Sequence, residues 1–78
     1  MSARYWVLVS DELMAQVGAP QWPEGLRVIE AGPYDETGAR WCKVEDDGAP
    51  ATLEGKRVEL TFTRSGDTVM IGGRRPAI

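Results

Sequence analysis

Groups able to do chemistry are scarce in these 78 residues, and their spacing excludes more than it offers. Three carboxylates cluster in Glu45-Asp46-Asp47, one thiol stands at Cys42, and histidine is absent. Without histidine, the commonest general base, the usual partner of a serine or cysteine nucleophile and the commonest transition-metal ligand are all missing. A single cysteine cannot complete a Cys/His zinc site within one chain. The carboxylate run ends at Gly48 and lacks the alternating ligands and later glutamate of an EF-hand calcium loop, so it reads as a solvated loop. No GxxxxGK[ST] phosphate loop and no GxGxxG fingerprint occurs. The glycines of GDTVMIGG lack the strand–loop–helix setting in which backbone amides cradle phosphate. The expectation is a non-enzymatic protein without cofactor or metal.

What remains are groups suited to contact. Six aromatics are present, three of them tryptophans. Trp22, Tyr34, Trp41, Arg40, Arg74 and Arg75 are the binding candidates. Trp41 beside Arg40 or Arg27 would form a stacking platform with cationic neighbours; the alternative is that it closes the core. Tyr34 falls in a polar loop and should be exposed. Trp22 sits between Pro20 and Pro23 in GAPQWPEG, either capping the core or displayed to a partner. The PxxP match there has no flanking basic residue, unlike a peptide ligand of an SH3 domain. WPEG fits a β-turn with Pro23 at its second position and Gly25 at its fourth. GGRRPAI reads as a frayed end whose Arg74 and Arg75 are available to an acidic partner or a phosphate.

The elements that must position these groups follow from periodicity. Val58, Leu60 and Phe62 alternate with Arg57, Glu59, Thr61 and Thr63, the pattern of a strand with one buried face. SGD and TVMIG complete a hairpin whose two-residue loop is Ser65-Gly66 or Gly66-Asp67, with Val69 and Ile71 facing the same side as Leu60 and Phe62. RYWVLVS is apolar on both faces, as in a central or covered strand. Ser10 can cap a short helix with Asp11 and Glu12 in its first turn; Leu13, Met14 and Val17 share a face, Gly18 suits the end, and Pro20 forbids continuation. Further strands lie over 25–32 and 39–45, the latter with Trp41 and Lys43 on one side and Cys42 and Val44 on the other. Cys42 should be a buried small apolar group. DDGAPATLEG is a long loop pinned by Leu53.

Five strands and one short helix in this length predict an all-β fold, either a small SH3-like barrel or a strongly bent antiparallel sheet with the helix after the first strand. The rival is an α+β sheet with the helix on one face. An OB-fold would place its helix between strands three and four, where this chain has Gly and Pro. Residues 1–73 are expected to form one small domain and 74–78 a basic C-terminal tail.

The net charge of −3 is uneven: residues 1–63 carry −5 and residues 64–78 carry +2. A duplex-binding domain is usually basic, so phosphate binding by the whole surface is disfavoured. The longest apolar run, Tyr5–Val9, is far short of the ~20 residues of a membrane span. One cysteine, no basic and apolar leader, and seven arginines against two lysines point to a cytoplasmic protein of bacterial or phage origin. The favoured reading is a module that binds another protein as adaptor, accessory or inhibitor. Single-stranded nucleic-acid binding by Trp41, Tyr34 and the arginines is the alternative, and assembly through edge strands is the second.

Overall fold

The structure is a computed structural model and describes residues 1–17 and 22–77. Its elements run β1 (Ala3–Val9), α1 (Asp11–Val17), β2 (Leu26–Tyr34), β3 (Arg40–Asp46), a 3-10 turn (Ala51–Leu53), β4 (Val58–Ser65) and β5 (Thr68–Pro76). The protein is mostly β, with antiparallel strands in two sheets. The first sheet has the order β1-β3-β2 and the second is the β4-β5 hairpin. The described strands do not close into a barrel. The sheets meet at one parallel bridge, Trp6 to Arg57, where the Trp6 amide donates to the Lys56 carbonyl at 2.8 Å.

Alternation sorts the first sheet into two faces. Register pairs Tyr5 with Val44 and Val7 with Cys42, and these four are buried. They join Leu13, Leu26, Leu53, Val58 and Leu60 in the interior. Cys42 faces inward with Val44, as its parity predicts. The β4-β5 loop is Gly66-Asp67, and Gly66 has φ of +61°, while among the described residues only glycines have positive φ. Glycine at the first loop position with a left-handed backbone is the type II′ arrangement, whose twist matches the flanking strands. α1 is capped by the Ser10 hydroxyl, which accepts from the Leu13 amide at 3.2 Å.

Four expectations need correction. First, WPEG does not turn as a unit. The Leu26 amide donates to the Pro23 carbonyl, so the turn is Pro23–Leu26 with Gly25 third, at φ +85°. A type II turn requires positive φ at that position, which glycine supplies. Second, the carboxylate run is not all solvated: Asp46 is 1% exposed. As the last residue of β3 it pairs with Ala3 and points inward, one alternation away from Val44. Third, 74–78 is not a tail as far as Pro76, because β5 continues through Arg74 and Arg75, paired with Leu60 and Glu59. Fourth, of the two all-β forms expected, a closed barrel is not formed by the described strands. Gly18, Pro20 and Gln21, and with them the helix stop and the PxxP match, lie outside the described residues.

Candidate binding surface

Arg74 is a structural group. Its guanidinium donates to both carboxylate oxygens of Asp46, from Nε at 2.5 Å and from Nη2 at 3.0 Å. The Tyr5 hydroxyl donates to the same carboxylate at 2.5 Å, and the Gly48 amide does so at 3.1 Å. Burial alone would raise the Asp46 pKa; the hydrogen bonds from Arg74, Tyr5 and Gly48 outweigh it and hold the carboxyl below its ordinary value. Burial, then the bond to Asp46, pushes the Tyr5 hydroxyl far up. The cluster ties β1 and β3 to β5, clasping the sheets at the end opposite α1. Arg75 pairs with Glu59 across the hairpin at 2.6 Å, both side chains well exposed.

Trp22, Tyr34 and Arg40 gather around one cleft of about 390 Å³, with Val9 and Met14 in its wall and Cys42 at its base. Trp22 is half-buried and meets Phe62 with ring centroids 6.4 Å apart, tilted by 58°. It caps the core. Tyr34 is 66% exposed, and the Arg40 guanidinium lies 4.5 Å from its ring centroid. Arg40 therefore stacks on Tyr34, its partner in the β2-β3 register, and not on Trp41.

Trp41 belongs to the opposite face of the first sheet. Register places it beside Leu8, and Trp6 beside Lys43. The Arg57 guanidinium sits 4.7 Å from the Trp41 ring centroid, and the Lys43 ammonium 5.9 Å from that of Trp6. Leu8 is 40% exposed. At one end of this face lies a charged cluster in which Glu45 accepts from Arg4 at 3.1 Å and from Arg27 at 2.5 Å, and Arg27 reaches Asp47 at 2.8 Å. These arginines hold Glu45 and Asp47 below their ordinary pKa values. Among the described residues, neither Lys43 nor Arg57 has a carboxylate partner.

Sequence reasoning singled out Trp41 and put Lys43 on its side of the strand, but missed Trp6, Leu8 and Arg57 as its neighbours. The parity that groups Trp6 with Leu8, and Trp41 with Lys43, is local. That β1 pairs with β3, and in which register, is not.

The fold is that of a small β-rich protein with antiparallel strands in two sheets. Among the described residues no group of three or more carboxylate or thiol side chains is arranged to hold a metal ion, and no helix is long and apolar enough to cross a membrane. No protein-family model matches the chain, and neither a curated protein nor a solved structure shows significant similarity to it.

Proposed function

We propose that this protein is a non-enzymatic module that binds another protein through the outer face of its first sheet. The observation that carries the reading is the juxtaposition of half-buried Trp6 and Trp41 with exposed Leu8, bordered at one end by paired charges. An aromatic and aliphatic centre with a polar rim is the anatomy of a protein interface, and tryptophan and arginine are its usual anchors. Arg57 and Lys43 already cover the tryptophan rings. Those cations keep the aromatic surface hydrated when free and can turn to a partner's carboxylates on binding.

Cross-linking in the native host's lysate tests this. A defined protein should be captured by the wild type and lost with Leu8→Glu, with the circular dichroism spectrum unchanged. Capture of the same proteins by both forms would refute the outer face as the contact.

A second reading, single-stranded nucleic-acid binding, draws on the same tryptophans with their cations. The net charge of −3 weighs against it. It requires salt-dependent quenching of tryptophan emission by an oligonucleotide.

A further inference from the structure

β1 is the end strand of the first sheet, and β4 ends the second, so each has a strand partner on one side only past the Trp6–Arg57 bridge. From that bridge the two strands, parallel to each other, separate, and a cleft of about 470 Å³ opens between them. Val7 and Leu8 form one wall, Val58 and Leu60 the other, and Leu13 of α1 the floor. Trp41 stands at the rim, so the cleft is continuous with the outer face described above. The charged side chains that line it are Glu12 and Glu59, of which Glu59 is already paired with Arg75. Glu12 has no ion-pair partner among the described residues.

We propose that this cleft accepts an extended segment of a partner protein, which adds a strand between β1 and β4. The two sheets then become one, in the order β2-β3-β1-peptide-β4-β5. Three features specify the segment. A strand edge on each side calls for an extended backbone that can donate and accept on both of its own edges. Walls and floor of Val, Leu and Trp call for β-branched side chains at the inward positions of a period-two pattern. Glu12 at the mouth calls for a basic side chain at an alternate position, by charge complementarity. This rests on the protein-binding reading and assigns the chemistry of the partner.

The test uses the whole protein, labelled for amide NMR, and a blocked hexapeptide alternating lysine and valine. The peptide should shift the amide signals of Leu8 and Leu60 and slow their hydrogen exchange. Replacing its lysines with glutamates should weaken binding about tenfold or more. Methylating the valine amide nitrogens, which keeps the side chains but removes strand hydrogen bonds, should weaken it by at least as much. Equal binding of the N-methylated peptide overturns the proposal, because side-chain docking alone would then suffice. So does the absence of any shift at Leu8 and Leu60 at about 1 mM peptide. So does a dimeric mass in light scattering that Leu8→Lys converts to a monomer, since a second copy would then fill the cleft. If partner capture persists and is lost with Leu8→Glu while the peptide arms fail, strand addition falls and the outer-face reading stands.

Discussion

At the scale of single residues, the chain concentrates its chemistry in one place, the Tyr5–Asp46–Arg74 cluster, and uses it for stability. The Asp46 side chain is 2% exposed and that of Arg74 26%. Asp46→Asn keeps the shape but leaves the guanidinium without its counter-charge. Breaking a buried pair costs about 3–5 kcal/mol, and the partial exposure of Arg74 puts this one near 3, measurable by urea unfolding. Tyr5→Phe removes one donor and should cost about 1–2 kcal/mol. The carboxyl also sets a pH dependence. Its folded pKa lies below its unfolded one, so its contribution is fully present above the ordinary carboxylate range near pH 4. It is lost as pH falls through the folded value. Thermal midpoints should therefore drop more steeply below about pH 4 in the wild type than in Asp46→Asn. Parallel curves would mean that Asp46 is not ionised in the native state.

At the scale of elements, two connections fix how strands meet. Gly66→Ala would place a Cβ on a backbone at φ +61° and should destabilise by about 1–2 kcal/mol in thermal melts, without altering the register. Trp22 clamps the segment before β2 onto β4 through Phe62. Trp22→Ala should cost about 2 kcal/mol, below the 3–5 of a fully buried aromatic, because the side chain is only half-buried. Element existence was legible in the sequence wherever the signal was local: the alternation of β4, the Gly66 turn, the Ser10 cap, and the inward parity of Cys42 and Val44. The extent of β5 was not. Gly72, Gly73 and two arginines look like a loose end, yet Arg74 lies inward opposite Leu60 because Asp46 awaits it there. That carboxylate comes from a residue 28 positions away, and no local pattern announces the pair. The outer face was half-legible for the same reason: Trp41 was named, but Trp6 and Leu8 beside it come from β1 and Arg57 from the residue just before β4.

At the scale of the whole molecule, the open arrangement is the informative departure from a barrel. Two sheets share one interior but, among the described residues, one strand bridge, so their union rests largely on packing and on the Asp46–Arg74 clasp. A chain of this size buries only about 60–65% of its unfolded surface, which leaves little margin to hold a two-stranded hairpin against a three-stranded sheet. The hairpin is then the unit expected to open first. Arg74→Met tests this, since it keeps much of the stem's packing while removing the charge that reaches Asp46. Native-state hydrogen exchange should show amide protection in β4 and β5 falling about tenfold, while protection across β1 and β3 falls less. A uniform loss over both sheets would mean that they open as one cooperative unit. The clasp would then stabilise the whole fold and would not act as a local latch on the strand that borders the cleft.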